Sequence, residues 1–324
     1  MTLTYDAEFL ALVGEAALKA QKDSVLPVHD VLGRRERMAA FVAGARPGMP
    51  ADVEQTIYHV ESAYSYKVAV YHLRKKSAPT GSGSTAAILH IHGGWYIGVS
   101  AEDATPSVAT YVSHSGIPIF SVDYRLAPEN PYPTPLEDCW ASLLWLQSQA
   151  ERFNIDPGRI AIMGESAGGG LAAALALVAR DRGLSPRLAK QILIYPMLDD
   201  RTRSDCTNGI AIFGVEDVIT GWTAYLGPRY NTNDVPAYAA ASRTTDVKGL
   251  PPLYMDVGQL DVFVEEDLAY VQKFLAAGIS MEFHMYTGVP HAFHRFAPTA
   301  SVTKRAFANR LGAMLNIGNQ EDHT

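Results

Sequence analysis

Cysteine is scarce: the 324 residues hold two, Cys139 and Cys206. Neither belongs to a C-x-x-C pair, so a disulfide framework and a thiolate metal knuckle are both excluded, and two buried, reduced thiols are expected. A basic surplus is missing too. Against 27 Lys and Arg stand 34 Asp and Glu, a formal charge of −7, without the electrostatic footprint of a nucleic-acid or anionic-lipid binder. Long apolar runs are absent; the longest, Leu171–Ala179, is far too short to span a bilayer. The segment Met1–Lys22 carries Asp6 and Glu8 where a secretory signal would be basic, and it lacks an uninterrupted apolar core. These absences predict a cytoplasmic chain with no membrane span.

What is present is a globular composition, 48% hydrophobic with 26 Gly and 19 Pro, enough for a large core. Phe9, Leu10, Leu12, Val13 and Ala17 recur near a helical period, a second helix is predicted over Arg34–Val42, and Arg46-Pro-Gly-Met-Pro50 breaks the pattern. From about Tyr66 β-rich runs follow: Lys67–Leu73, Ala86–Ile91, Ile117–Val122, Arg159–Met163, Gln191–Tyr195, Leu253–Val257 and Met281–Tyr286. Helical stretches Pro106–Ser113, Pro135–Arg152, Gly169–Arg182, Glu265–Ala277 and Val302–Leu315 lie among them. Such alternation predicts an α/β fold, a mostly parallel sheet covered on both faces. Lys67–Leu73 reads as an antiparallel edge and Ser77–Thr85 as an exposed turn. Asp199–Gly249 is long, aromatic and without a clear strand, and a loop of that length inside a compact fold is usually functional. The predicted organisation is a helical cap segment over residues 1–50 and a catalytic domain over 51–324, with a cap insertion at about 199–249.

The most informative segment holds G-x-S-x-G as Gly164-Glu165-Ser166-Ala167-Gly168. An apolar strand precedes it and a small-residue helix follows, the context of a nucleophile elbow. The serine must stand on a tight strand-to-helix turn that exposes its hydroxyl, and the following helix N-terminus adds partial positive charge where an oxyanion forms. Glu165, beside the nucleophile, is expected to brace the elbow.

Two further blocks, Ile91-His-Gly-Gly-Trp-Tyr-Ile-Gly98 and Asp123-Tyr-Arg-Leu-Ala-Pro-Glu129, accompany the Ser166 block in order and spacing. With them the chain, over roughly residues 65–315, resembles the hormone-sensitive-lipase-like esterases, which include arylacetamide deacetylases. The resemblance implies an α/β-hydrolase fold with a helical cap. It also implies an oxyanion hole from the N–H groups of Gly93, Gly94 and Ala167. Here the chain departs from the family's His-Gly-Gly-Gly-Trp: aligned on Trp95, Ile91 takes the histidine's place and His92 that of the first glycine. Arg125, Glu129 and Asp138, with Tyr124, are expected to form a buried polar network under the site.

A serine needs a base, and the base an acid that fixes its tautomer; in this fold the chain order is Ser, Asp or Glu, then His. His284 lies inside a predicted strand. His291-Ala-Phe293 resembles the family's His-Gly-Phe, which favours His291 over His294. Asp261 follows an apolar strand, and Asp261-Val-Phe-Val-Glu-Glu266 is similar to the family's Asp-Pro-Leu-Arg-Asp-Glu; its alternative role is a helix N-cap. Asp256 points elsewhere in a regular strand, and Glu265 and Glu266 begin a helix. The implied activity is hydrolysis of short- to medium-chain acyl esters by a Ser166–His291–Asp261 triad, needing no cofactor or metal, on a small-molecule ester. Amide, carbamate or lactone cleavage, or acyl transfer, stays open on the same residues, because a triad does not choose the leaving group. A receptor-like binding module is the rival class; the plant gibberellin receptors of this family lack the catalytic histidine, which His291 supplies here. A homodimer is compatible with the sequence.

Overall fold

The computed structural model describes residues 3–23, 25–45, 48–77, 83–202 and 211–318. Three helices come first, α1 (Ala7–Val13), α2 (Glu15–Asp23) and α3 (Val31–Ala45). The sheet strands are β1 (Val53–Glu61), β2 (Lys67–Lys75), β3 (Thr85–Ile91), β4 (Ile119–Asp123), β5 (Ile155–Glu165), β6 (Lys190–Ile194), β7 (Leu253–Leu260) and β8 (Met281–Pro290). Between and after them run α4 (Ala101–Ser115), α5 (Thr134–Ser148), α6 (Ala167–Asp181), α7 (Val215–Leu226), α8 (Val264–Ala276), α9 (Phe293–Phe296) and α10 (Ser301–Leu315).

The eight strands form one sheet in the order β1-β2-β4-β3-β5-β6-β7-β8. β2 is antiparallel to both β1 and β4, and every other pairing is parallel. The expected α/β architecture is therefore the observed one. Its antiparallel edge differs in one respect: β2 is an inner strand, and the outermost is β1, which the sequence reading passed over. Among β1 residues only Val53 and Val60 are buried, and Ile57 is 43% exposed, so the strand lacks the apolar run that marks its neighbours. The Ser77–Thr85 turn falls mainly on residues outside the described ones, as does Cys206. Cys139 is a buried free thiol on α5, and burial pushes its pKa up.

The inner parallel strands are mostly apolar because both faces are covered, with His90, Ser121, Gln191 and Asp256 as buried polar exceptions. Leu89, Ile91, Ile160, Ile162 and Leu193 turn to the layer of α5, α6 and α8. Ile88, Ala161, Met163, Ile192 and Ile194 turn to α4 and α10. α4 is capped at both ends, by the Ser100–Asp103 capping box and by Gly116 at φ 74°. The insertion over 199–249 contains α7 and no strand among its described residues.

The strand order reverses between β3 and β5, which pair directly, Ile91 beside Gly164. At such a switch point the loops beyond the strand C-termini part and leave a crevice. Beneath it α10 is pinned to β7. Arg310 Nε and Nη2 donate to both Asp256 oxygens at 2.6 and 2.8 Å, Tyr254 Oη donates to the same carboxylate, and Arg310 Nη1 reaches Tyr111 Oη. Arg310 is 1% and Asp256 0% exposed. Losing one partner would strand the other charge out of water. Arg310→Met is therefore expected to lower unfolding stability by about 3–5 kcal/mol, measured by urea denaturation, while the Arg310→Met/Asp256→Val double variant recovers most of that loss.

Candidate active site

Ser166 stands between β5 and α6 at φ 55° and ψ −122°, in the region that disfavours a side-chain-bearing residue. Its N–H donates to Ile194 O at 2.9 Å, and its carbonyl accepts from Gly170 N and Met197 N at 3.0 and 2.9 Å. The glycines around it answer to close contacts. A Cβ on Gly164 would lie 2.1 Å from Gly168 O, and one on Gly168 would lie 2.1 Å from Ile91 O. The elbow thus leans directly on the end of β3.

Beyond β3, Gly93 approaches the elbow so closely that a Cβ would meet Glu165 O at 2.9 Å and Ser166 Cβ at 3.3 Å. Gly94 has φ 116°, and a Cβ there would meet Gly98 O at 2.1 Å. Among the described residues the N–H groups of Gly93 and Gly94 donate to no other group of the chain. Ala167 opens α6, so its N–H has no acceptor within the helix. All three belong to the rim around Ser166, two of them lining the same cavity as its side chain. The loop is braced from below: Tyr124 Oη donates to His92 O at 2.9 Å and its ring stacks on His92 at 4.2 Å. Arg35 of α3 donates to Ile97 O and Ala127 O.

Asp261 is the first residue beyond β7 and His291 the first beyond β8. The sheet brings them to Ser166. His291 Nδ1 lies 2.7 Å from Asp261 Oδ2, and His291 Nε2 lies 3.0 Å from Ser166 Oγ. Asp261 is wholly buried, and its other oxygen accepts from Phe263 N at 3.0 Å. Asp261 therefore also braces the turn before α8, but it is not that helix's N-cap, a position held by Phe263. His294 is turned away from Ser166. It is half-buried and stacks on Tyr195 at 5.9 Å, and desolvation and the nearby Arg310 lower its pKa well below the usual imidazole value. His284 stays on the β8 edge with Glu282 at 2.6 Å. Asp256 belongs to the Arg310 pair, and Glu266 accepts from Leu198 N and Asp199 N, anchoring the start of the insertion.

The polar network expected below the site is smaller than the sequence reading drew it. Arg125 and Asp138 pair closely, at 2.6 Å, with Ser62 Oγ donating to the same carboxylate. Glu129 is not part of it; its side chain is 56% exposed and pairs with Arg35 of α3 at 2.6 Å. A carboxylate at a loop's outer end reaches water, and the arginine comes to it there. Glu165 is buried beside the nucleophile with Arg295 Nη2 at 3.3 Å. Burial works to raise its pKa, but Arg295, His294, His90 and Arg310 together lower it to about 2.

Above Ser166 and His291 lies a cavity of about 310 Å³, walled by Met38 and Phe41 of α3, Trp95, Tyr195, Phe213 and Arg295. Phe213 belongs to the aromatic segment expected over the strand ends, Trp95 and Arg295 lie within motif strings, and Met38, Phe41 and Tyr195 carry no sequence signal of a pocket. Among the described residues no three His, Cys, Asp or Glu side chains gather as a metal-binding set, and no helix is long and apolar enough to cross a membrane.

Comparison with known proteins agrees with this geometry. A family model for the alpha/beta hydrolase fold matches residues 88–295. Ethyl acetate hydrolase of Pseudomonas putida is 31% identical over 311 residues, 91% of this chain and 93% of that protein. Carboxylesterase NlhH of Mycobacterium tuberculosis is 33% identical over 233 residues, 70% of this chain and 72% of its own. The solved structure of a bacterial heroin esterase superposes with a TM-score of 0.84 at 32% identity, over 97% of this chain and 98% of that one. The chain belongs to the α/β-hydrolase fold family, in its hormone-sensitive-lipase-like esterase group.

Proposed function

We propose that the chain is a serine carboxylesterase in which Ser166 is the nucleophile, His291 the base and Asp261 the acid. The observation that carries this reading is the continuous Asp261–His291–Ser166 contact, at 2.7 and 3.0 Å, beside two glycine N–H groups without an acceptor among the described residues. Asp261 holds the proton on Nδ1, leaving Nε2 free to accept from Ser166 Oγ. Oγ then bonds to the ester carbonyl carbon, and the proton passes to His291. The oxyanion is received by the N–H groups of Gly93, Gly94 and Ala167, each such donor worth about 3 kcal/mol of barrier in related chemistry. Collapse breaks the bond to the alcohol oxygen, which takes the proton from His291. Water repeats the sequence on the acyl-enzyme and frees the acid. None of these steps calls on a group from outside the chain and its substrates.

Residues 1–50 and 199–249 are read as parts of one cap on the catalytic domain 51–324. α3 supports this, since Arg37, Met38, Phe41 and Val42 line the cavity together with Phe213 from the insertion. The two parts are joined through Asp217 of α7, which accepts from Arg34 at 2.8 Å and Arg37 at 2.5 Å. α1 is placed differently: Phe9 packs with Val289 and Phe293, and Asp6 N donates to Gly288 O at 2.8 Å. It props the strand that carries His291.

The cavity, at about 310 Å³, is at the lower end of the roughly 300–1,000 Å³ of small-molecule sites. With apolar walls it suits acyl groups of two to about eight carbons. The relatives' names agree in part, one of them acting on ethyl acetate.

Ser166→Ala and His291→Ala should each keep the fold and lower kcat/KM for p-nitrophenyl butyrate by about 10⁴-fold or more. His294→Gln should stay within about tenfold. An active Ser166→Ala enzyme, or inactivation by the His294 change alone, would refute the assignment. For the pocket, kcat/KM should be higher on soluble butyrate esters than on emulsified long-chain triglyceride. Phe41→Ala, by opening the α3 wall, should shift preference toward longer acyl chains in a p-nitrophenyl ester series; an unchanged chain-length profile would show that α3 does not bound the acyl site.

A further inference from the structure

His291 stands on a segment with little regular structure to fix it. β8 ends at Pro290, Ala292 turns the chain at φ 56°, and α9 is four residues long. Among the described residues two side-chain hydrogen bonds tie the 291–296 segment to the nucleophile elbow. One is the His291–Ser166 contact of the reaction. The other runs from Arg295 Nη2 to Glu165 Oε2 at 3.3 Å, and Glu165 immediately precedes Ser166.

We propose that Arg295 is a positioning residue: its ion pair with Glu165 clamps the histidine loop to the elbow and sets the reach of His291 Nε2 to Ser166 Oγ. The inference rests on the esterase reading above and adds a requirement to it. The pair spans the two segments that must meet for proton transfer, one residue before the nucleophile and four after the base. Both side chains are mostly removed from water, 17% exposed for Arg295 and 8% for Glu165. Neither has another side-chain hydrogen-bond partner among the described residues, so the chain offers no second clamp in its place. Glu165 is ionised, because the positive charge of Arg295 first, and of Arg310, lowers its pKa against its burial. Without Arg295 an uncompensated carboxylate would be left beside the oxygen that becomes the nucleophile, and the loop would lose its second tether. A drift of about 1 Å between base and nucleophile is enough to lower the rate about 10²-fold.

The test uses the full chain and the variants Arg295→Met, Arg295→Lys, Glu165→Gln and Glu165→Gln/Arg295→Met, with Ser166→Ala as control. Fold is checked by circular dichroism, and kcat and KM are measured separately on p-nitrophenyl butyrate. The rate of Ser166 phosphonylation by a fluorophosphonate is measured on each variant. Arg295→Met should lower kcat about 10²-fold while KM moves less than about threefold, with phosphonylation slowed in parallel. Arg295→Lys should recover about tenfold of that loss, and the double variant should be no worse than Arg295→Met, since both changes remove one interaction. A folded Arg295→Met enzyme with kcat within about threefold of the parent, or losses that multiply in the double variant, would overturn the clamp. If Arg295→Met does not fold, the isosteric Glu165→Gln decides, by the same kcat threshold. A Ser166→Ala enzyme that still turns over ester would sink the esterase reading itself, a result the other variants cannot mimic.

Discussion

Ser166 is held at φ 55° and ψ −122°, a conformation that costs an ordinary residue about 1–3 kcal/mol. Everything around it has to be small enough, and close enough, to keep it there. The contacts that do so come from its own β5, from β6 through Ile194 O, and from the end of β3, where the carbonyls of Ile91 and of His92 just beyond it crowd Gly168. Glycine at 164, 168, 169 and 170 follows from that crowding. A Cβ on Gly169 would meet Pro196 at 2.7 Å, and one on Gly170 would meet Met197 O at 2.2 Å. The same crowding places the loop after β3. Because α6 begins against the end of β3, the residues just past Ile91 have nowhere to lie except across the mouth of the elbow.

Buried ion pairs hold the elements around this point. Arg310–Asp256 fixes β7 to α10 below Asp261, Arg125–Asp138 fixes the loop after β4, and Arg34–Asp217 fixes α3 to α7 above the cavity. Such pairs contribute little net stability against well-packed apolar substitutes. What they supply is direction: a guanidinium fork accepts its carboxylate in few geometries. That is useful where three loops of irregular backbone must present groups within a fraction of an ångström.

The parts legible from sequence share one property. Ser166, Asp261 and His291 each stand one residue past a strand, and the strands could be read because burial on both faces makes most of them predominantly apolar. β1 could not be read, since an outer strand with Ile57 exposed has no such signature. The pocket was unreadable for another reason. Its wall takes Phe41 from α3, Trp95 from the loop after β3 and Phe213 from the insertion, and no local period relates residues so far apart in sequence. Aromatic content in 199–249 was a true signal with a mixed meaning. Trp222 and Tyr225 are core residues packed on Tyr96, the first tilted at 5.2 Å and the second stacked at 4.2 Å, while Phe213 reaches the cavity. The misplacement of Glu129 has the same origin: motif membership says which loop a residue is on, not whether its side chain ends inside or outside.

The aromatic residues near His291 do more than shape a pocket. Tyr195, Phe263, Phe213 and Trp95 place their ring centres 4.5, 5.4, 5.7 and 6.1 Å from the imidazole, each from a different segment. Rings at those distances leave little room for water around the base, and exposure along the relay is accordingly graded: 0% at Asp261, 6% at His291 and 7% at Ser166. In water a carboxylate and an imidazolium in contact gain about 1 kcal/mol, and the attraction grows several-fold as the effective dielectric falls. The hydrogen-bonded chain is thus driest at Asp261, and His291 and Ser166 both reach the cavity. The apolar rings and the buried Asp261 are two halves of one electrostatic arrangement, the first lowering the dielectric in which the second acts.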